Sequence, residues 1–441
     1  MTFDRDAEKI EFICFQKGGM METKRTLLYD RHVAQGANMA VFGGYEMPLW
    51  YPSGAKAEHL TVLTAAGMFD TSHMAVVKIS GTGASDLLQV CFSRDINACI
   101  GAKQKPLESG RCVYGVYLNE KGRVIDDSIV YRLEKESYIA VVNAGMGAKI
   151  AGHLSANKGS LKVEIGDLTD KVGKLDVQGP DSAKILSKIL ANPEKIFENM
   201  PYFSFKGHFD PASPLGDQVR LSDGTAILLS RTGYTGEFGF EIFISPDHLV
   251  RLWDMILEAG KSFGLISCGL AARDSLRAGA VLPLSHQDIG NWLFLHTPWS
   301  FALPFNKDKS GFTKFFIGDK PLRDRANAEF TYPFAGYDLR KISLPAVVTD
   351  TEGSEIGTVL TCVSDMGIGR HNDRIYSIAS PDRPEGFIPK GLSCGFVKAA
   401  KPLNIGQSLI LKDSRRKIEA EIREDIRPNR TARMPISNFL K

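Results

Sequence analysis

The stretch CVYGVYLNEKGRVIDDSIVY, residues Cys112–Tyr131, decides the fold of this chain. Its two halves alternate with period two, and the polar turn Asn119–Gly122 separates them. A period of two is typical of β-strands, and a glycine in the turn accepts a left-handed backbone that other residues avoid. The sequence therefore predicts a β-hairpin, and Ser137–Asn143 predicts a third strand beside it.

Further strands and helices extend this pattern towards the carboxyl terminus. A second hairpin is predicted from Ile227–Arg231 and Gly239–Ile244, an amphipathic helix from Gly179 to Leu190, and a short helix over Gly269–Arg277. The last hundred residues contain short β-like runs separated by Gly, Pro and Asp, namely Gly357–Val363, Gly395–Lys398, Ser408–Leu411 and Ile418–Ile422. The predicted class is α+β with a small all-β, barrel-like domain at the end.

Composition excludes several classes of protein. The chain has 441 residues and a net charge of +3, which gives no reason to expect nucleic-acid or membrane binding. Its seven cysteines are scattered and form no CxxC pair, and its nine histidines show no ligand spacing. We therefore expect no disulfide scaffold, no metal site and a reducing, cytoplasmic location.

The first residues differ from the rest of the chain. The start, MTFDRDAEKIEF, is acidic, whereas secretory signals begin with basic residues and mitochondrial presequences contain few acidic ones. Clear patterning begins only near Thr26. Residues 1–21 are therefore predicted to be an extension without fixed structure.

Several charged residues stand in apolar surroundings. Asp126 and Asp127 interrupt the strand Val124–Tyr131, and Glu241 interrupts the strand Gly239–Ile244. A carboxylate among apolar neighbours costs several kcal/mol unless something compensates it. Plain alternatives remain open at this point, since an Asp can lie at a strand edge and a Glu can face solvent. Arg273 shares a helix face with the arginine four residues later, where like charges repel unless an anion lies nearby.

Eight motifs, in order, resemble those of the glycine cleavage system T-protein (aminomethyltransferase) family. The similarity runs from about residue 26 to about residue 322, and some features are divergent. The motifs are Leu28–His32, Phe42–Pro48, Gly67–Met74, Lys121–Asp127, Val142–Gly145, Val177–Pro180, Gly233–Glu241 and Gly269–Arg277.

The resemblance implies a fold and a domain division. It implies two intertwined α+β subdomains around a central hole that holds folate, followed by a C-terminal barrel. The expected limits are 22–335 for the folate-binding catalytic unit, with an inner subdomain at about 76–164, and 336–441 for the barrel domain.

The resemblance also implies a site for tetrahydrofolate. Glu241 matches the carboxylate that accepts the two neighbouring N–H donors of the pterin, and Arg273 matches the arginine that accompanies it. Asn143 is implied as a polar contact. Aromatic or apolar packing on the cofactor is implied for Tyr114, Tyr234 and Met74, although such residues are often core filler.

Asp126 matches the catalytic carboxylate of the family. The family reaction moves a methylene unit from an aminomethyl group on a lipoyl arm to tetrahydrofolate and releases ammonia. A fixed anion beside the cationic carbon would stabilise it, and the same carboxylate could orient a folate nitrogen or pass a proton. The implied partner is the lipoylated H-protein of the glycine cleavage system.

Departures from the family pattern concern the one-carbon donor. The usual Glu and Tyr after the helix Gly269–Arg277 are missing, and the chain reads Leu284-Ser285-His286-Gln287-Asp288 there. Extra residues occur near 207–222, 291–314 and 370–390, and the middle segment is rich in aromatic residues. Two alternatives therefore stay open: a tetrahydrofolate-dependent demethylase of a small methylated compound, and a non-catalytic folate-binding assembly factor.

Overall fold

A computed structural model describes residues 23–325 and 328–441, so the predicted extension 1–21 lies outside the described residues. In chain order its strands are β1 (Lys24–Arg25), β2 (Asn38–Phe42), β3 (Tyr45–Trp50), β4 (Gly67–Asp70), β5 (Ala75–Ser80), β6 (Arg111–Leu118), β7 (Val124–Glu134), β8 (Ser137–Val142), β9 (Glu164–Asp167), β10 (Gly173–Gln178), β11 (Phe205–Gly207), β12 (Ile227–Ser230), β13 (Gly239–Ile244), β14 (Ile266–Ser267), β15 (Phe330–Gly336), β16 (Val347–Thr349), β17 (Glu355–Asp365), β18 (Ile368–His371), β19 (Arg374–Ser377), β20 (Leu392–Ala399), β21 (Ser408–Lys412) and β22 (Lys417–Ile422). Its α-helices are α1 (Tyr29–Ala34), α2 (Ala55–Thr64), α3 (Ala84–Cys91), α4 (Gly147–Asn157), α5 (Ser182–Ser187), α6 (Pro193–Phe197), α7 (Leu249–Gly260) and α8 (Leu270–Gly279). Within these ranges no helix combines the length and the apolar character that a bilayer crossing requires.

The predicted hairpin is confirmed and forms one edge of a five-stranded sheet. The strand order is β6-β7-β8-β5-β9, and the third predicted strand is β8. Gly122 turns the chain with a φ of 70°, a conformation that a side chain would strain. The register places Val116 opposite Asp127 and Tyr117 opposite Asp126. Because neighbouring residues of a strand point to opposite faces, the two aspartates start out on different sides of the sheet.

A six-stranded sheet contains the second predicted hairpin, which is also confirmed. The order is β11-β12-β13-β10-β4-β14, and β10 sets Asp176 directly opposite Glu241 on β13. The helix predicted from Gly179 to Leu190 is shorter than expected, because α5 ends at Ser187. Ile189 and Leu190 are nevertheless buried in the same apolar cluster as α7. Burial, rather than helical conformation, accounts for their apolar character.

The C-terminal strands close into a barrel, which confirms the α+β class with an all-β end. The barrel order is β15-β20-β17-β16-β21-β22, and β18 and β19 form a separate two-stranded sheet. The four predicted β-runs fall in β17, β20, β21 and β22, whereas β15 and β16 were not predicted. The first barrel strand begins at Phe330, before the expected domain limit at 336. The domain limits themselves stay a prediction.

Buried charges join the barrel to the rest of the chain. Arg427 is 1% exposed and reaches Asp365 on β17 at 2.5 Å and Glu237, in the loop before β13, at 3.1 Å. His59 on α2 contacts the other oxygen of Asp365 at 2.9 Å. Burial acts to raise the pKa of Asp365, but the charge of Arg427 and the contact with His59 lower it overall. The carboxylate is therefore ionised and holds both elements.

Candidate active site

A cavity of about 2110 Å³ lies between the sheets, helix α8 and the barrel. Ligand sites for a single drug-sized molecule are usually about 300–1,000 Å³, so this cavity has room for two reactants. Six of the seven predicted site residues line it, and the exception is Asp126. The six are Met74, Tyr114, Asn143, Tyr234, Glu241 and Arg273.

One wall of the cavity carries a chain of four alternating charges. Glu241 Oε1 accepts a hydrogen bond from Lys174 Nζ at 2.7 Å, and the same Nζ donates to Asp176 Oδ1 at 2.7 Å. Arg273 Nη1 donates to the second oxygen, Asp176 Oδ2, at 2.7 Å. Lys174 and Asp176 are buried behind the wall, whereas Glu241 and Arg273 line the cavity. The two cavity-lining groups are therefore connected through a buried ion-pair chain.

Strand pairing explains why four charges can share this interior position. Asp176 and Glu241 lie opposite each other on β10 and β13, and Lys174 is on the same face of β10 two residues earlier. Burial acts to raise the pKa of Asp176, but the charges of Lys174 and Arg273 lower it overall. Lys174 and Asp176 belong to none of the family motifs. The alternation of charged and apolar residues in the run Gly173–Gln178 is the feature that could have predicted them.

Asn143 holds both aspartates of β7. Its Nδ2 donates to Asp126 Oδ1 at 2.8 Å and to Asp127 Oδ1 at 2.7 Å, while its backbone N–H donates to Asp126 Oδ2 at 2.9 Å. Tyr114 donates its hydroxyl to Asp127 Oδ2 at 3.0 Å, and Ser285 donates its hydroxyl to Asp126 Oδ1 at 3.0 Å. Both carboxylates are therefore fixed in orientation.

The structure places Asp127, not Asp126, on the cavity wall. Asp126 is fully buried and does not line the cavity, whereas Asp127 does. The expectation that Asp126 is the catalytic carboxylate stays a prediction. Tyr114 pairs with Ile129, so Asp127, two residues before Ile129, lies on the Tyr114 face of the sheet. This parity follows from the pairing of the hairpin.

Asp127 has an unusual protonation equilibrium. Burial raises the pKa of the Asp127 carboxyl to about 6, and the charge of Asp126 adds to this shift. The hydrogen bonds from Asn143 and Tyr114 act in the opposite direction. A carboxylate that changes charge near neutral pH beside a cavity is a feature of catalytic sites.

The aromatic and apolar residues of the prediction have definite contacts. The guanidinium of Arg273 lies 4.9 Å from the ring centroid of Tyr234, a cation–π arrangement. The hydroxyl of Tyr234 donates to the carbonyl of Pro283. Met74 packs partly buried against the apolar cluster between the two large sheets. Both residues keep one side towards the cavity.

The sequence model of the family described as the GCVT N-terminal domain matches residues 28–303, more than half of the chain. The chain belongs to this GCVT family. An aminomethyltransferase from Alkaliphilus oremlandii is 34% identical over 327 residues, which are 74% of this chain and 81% of that protein. One from Symbiobacterium thermophilum is 38% identical over 285 residues, 64% of this chain and 70% of that protein. The crystal structure of the glycine cleavage system aminomethyltransferase T from Bartonella henselae is similar with a TM-score of 0.70 and 25% identity, covering 91% of this chain and 97% of that one.

In this GCVT family member, His73 is a further cavity residue to which the motifs gave no role. His73 precedes Met74, is 4% exposed, and has a ring nitrogen, Nδ1, without a hydrogen-bond partner among the described residues. Burial lowers the pKa of His73 to about 4, so its imidazole is neutral at pH 7. A buried polar atom without a partner is costly, and a ligand in the cavity could satisfy it.

Of the three predicted insertions, the middle one, 291–314, supplies cavity wall in this GCVT family member. Trp299 and Phe294 are buried in an apolar cluster that reaches the barrel. Phe301 is 56% exposed and its ring centroid lies 6.0 Å from that of Tyr114. The segment therefore serves both as core and as lining. Neither of the other two predicted insertions contributes residues to the cavity.

Proposed function

We propose that this protein is a tetrahydrofolate-dependent aminomethyltransferase that takes its one-carbon unit from an aminomethyl group on a lipoylated carrier protein, the H-protein. The observation that carries the proposal is the joint presence of Glu241, Arg273 and Asp127 in the lining of one cavity. The aminomethyltransferase names of the relatives support the same activity. The resulting location would be the cytoplasm.

The cavity residues fit a reduced folate. The pterin presents two adjacent N–H donors, and a carboxylate accepts both with charge-assisted geometry. A carboxylate has about four acceptor positions, and Glu241 uses three for Lys174, Thr232 and Tyr131. The Tyr131 contact, at 3.2 Å, is the one that can be given up, because the same hydroxyl also contacts Thr232 Oγ1 at 3.3 Å. The unpartnered His73 Nδ1 is a further polar atom that a folate could satisfy.

The chain's own residues then have separate tasks. When bound, tetrahydrofolate supplies the nitrogens that receive the methylene unit. Glu241 and Arg273 hold the pterin end, Tyr234 supports Arg273, and Met74 packs against the ligand. Asp127, ionised and fixed by Asn143 and Tyr114, stabilises positive charge on the carbon being transferred. A preorganised group of this kind contributes roughly 2–4 kcal/mol to the lowering of the barrier.

Two variants test the proposal. The wild type, given an aminomethyl-loaded lipoyl carrier, should produce ammonia and 5,10-methylenetetrahydrofolate. Glu241→Ala should weaken tetrahydrofolate binding, measured by calorimetry, at least about tenfold. Asp127→Asn should keep folate affinity but lower turnover by roughly 10²–10³. Asp86→Asn, at an exposed aspartate on α3 that does not line the cavity, is the matched control and should keep wild-type turnover. Equal losses in both aspartate variants would refute the assignment of Asp127.

A demethylase remains the second candidate, and one observation favours it. The pair Tyr114 and Phe301 presents aromatic rings to the cavity, and such rings attract methylated ammonium or sulfonium groups. This candidate predicts 5-methyltetrahydrofolate from a small methylated compound and no reaction with the loaded carrier. The assay above therefore separates the two candidates directly.

A further inference from the structure

A short loop holds one histidine against the aspartates of the site. The loop, Leu284–Asp288, is anchored at its end by Asp288, which is fully buried, accepts the backbone N–H of Leu284 at 2.9 Å and pairs with Arg277. At its middle, Ser285 donates to Asp126 Oδ1. His286 stands between these two anchors. Its position is therefore set by contacts on both sides.

The backbone of His286 is in a conformation that favours glycine. Its φ is +65°, in the left-handed region, where histidine is uncommon but better tolerated than most side chains. Glycine would adopt the same conformation without strain. Strained residues that persist in a fixed loop cluster at functional sites.

The imidazole of His286 joins the cavity to the carboxylate pair. Its Nε2 lies 3.5 Å from Asp126 Oδ1, its side chain is 42% exposed, and it lines the cavity. The other two cavity-lining histidines are placed differently. His73 is buried near the charge chain, and His296 stacks on Phe330 with ring centroids 4.4 Å apart. Of the described histidines in the cavity wall, only His286 contacts the aspartates.

We propose that His286 is a catalytic residue that carries a proton from the attacking nitrogen to the leaving group. This inference rests on the proposed aminomethyl transfer. In that reaction two nitrogen–carbon bonds form, and the carbon–sulfur and carbon–amine bonds break. The two accepting nitrogens each lose one proton, the amine leaves as ammonia and the thiolate becomes a thiol, so atoms and charge balance without an oxidant or reductant. The imidazole accepts a proton at Nδ1, the ring nitrogen that is not paired with Asp126, as a nitrogen attacks, and donates it to the departing group.

The residues around His286 suit this proton transfer because each of them has a different role. Asp126 faces Nε2 and favours the protonated ring after the first transfer. Asp127 stays free for the cationic carbon. The exposed part of His286 lets the ring exchange its proton with solvent between turnovers.

Variants at position 286 test this role without straining the fold. His286→Gly relieves the left-handed backbone, and His286→Asn tolerates it while removing the imidazole. Both should lower turnover with the loaded carrier at least about 100-fold and change folate affinity less than about twofold. Added imidazole should restore a substantial part of the turnover of His286→Gly, which a structural role would not allow. His371→Asn, on β18 away from the cavity, is the matched control and should equal the wild type.

A second readout does not depend on turnover. In a protein labelled with ¹³C at histidine Cε1, the resonance that disappears in His286→Asn identifies His286. Tetrahydrofolate should shift that resonance in the wild type and leave that of His371 unchanged. The proposal is overturned if His286→Gly matches or exceeds wild-type turnover, if imidazole restores nothing, or if folate leaves the His286 resonance unmoved. A wild type that is inactive with the carrier overturns the proposed function, and this inference with it, whereas an active wild type with unaffected variants overturns this inference alone.

Discussion

Replacing Lys174 by methionine removes the centre of the buried charge chain. Lys174 Nζ lies 2.7 Å from both Asp176 and Glu241, and its side chain is 2% exposed. Methionine has nearly the same length and no charge, so the change deletes the cation without opening a large cavity. Two carboxylates on neighbouring strands then lose their common counter-ion.

The loss of stability depends on the contacts that the two carboxylates keep. Breaking a buried ion pair by removing one partner typically costs about 3–5 kcal/mol. Asp176 keeps Arg273 at 2.7 Å, and Glu241 keeps the hydroxyl donors Tyr131 and Thr232. We therefore expect the lower end, about 3 kcal/mol. With about 2.1 cal/mol/K of unfolding entropy per residue, that free energy lowers Tm by about 3 °C if all 441 residues melt together, or by about 5 °C if only about 300 do.

Scanning calorimetry of Lys174→Met, with Lys24→Met as the control, measures this loss of stability. Lys24 bonds Asp170 at 2.8 Å, yet both side chains are 54% exposed, so its removal should cost less than about 1 kcal/mol. The deficit of Lys174→Met should also shrink as the pH is lowered, because protonation of the buried Asp176 carboxylate removes an uncompensated charge. If the two variants have equal melting temperatures, or if the deficit grows in acid, the buried ion-pair chain does not stabilise the fold.

Two further predictions concern protonation and the barrel. The pKa of Asp127 is raised to about 6 and its ionised form is the active one, so turnover should rise with pH through about 6. Asp126→Asn should move this rise to lower pH, since it removes the neighbouring negative charge. Steady-state rates from about pH 5 to about pH 8 check both statements. Arg427→Met should destabilise the protein by about 3–5 kcal/mol in thermal melts, because it leaves Asp365 and Glu237 without their cation, whereas Arg374→Met, which breaks an exposed pair with Asp382, should change stability by less than about 1 kcal/mol.

Local patterns predicted those parts of the fold in which a strand has two different faces. The hairpin at Cys112–Tyr131 and the one at 227–244 follow from alternation and turn residues, and both are present. The helix observed after Gly179 is shorter than the predicted one, because an apolar spacing that fits a helix can also result from burial alone. β15 escaped prediction because Pro333 interrupts it and proline argues against a strand. The closure of the barrel depends on pairings between distant strands, which local patterns do not contain.

Motif resemblance predicted the cavity lining better than it predicted individual contacts. Glu241 and Arg273 are both on the wall, but the buried residues that connect them, Lys174 and Asp176, belong to no matched motif. Asp126 and Asp127 are neighbours and therefore lie on opposite faces of the strand, and of the two Asp127 lines the cavity. The register with Tyr114 shows which of the two aspartates faces the cavity, and that register becomes certain only when the hairpin pairing is known.

The two ends of the cavity are built by different means, and this difference bears on how specificity arises. Around Glu241 and Arg273, side chains are buried, charged and paired across strands and helix α8, so a substitution there should change stability and binding together. At the other end, His286 and Phe301 are 42% and 56% exposed and belong to the loop at 284–288 and the segment 291–314. Side chains on such loops can change without a large loss of stability, which is why binding differences concentrate on them. The choice of one-carbon donor should therefore follow residues 284–314, while folate recognition stays with the sheets.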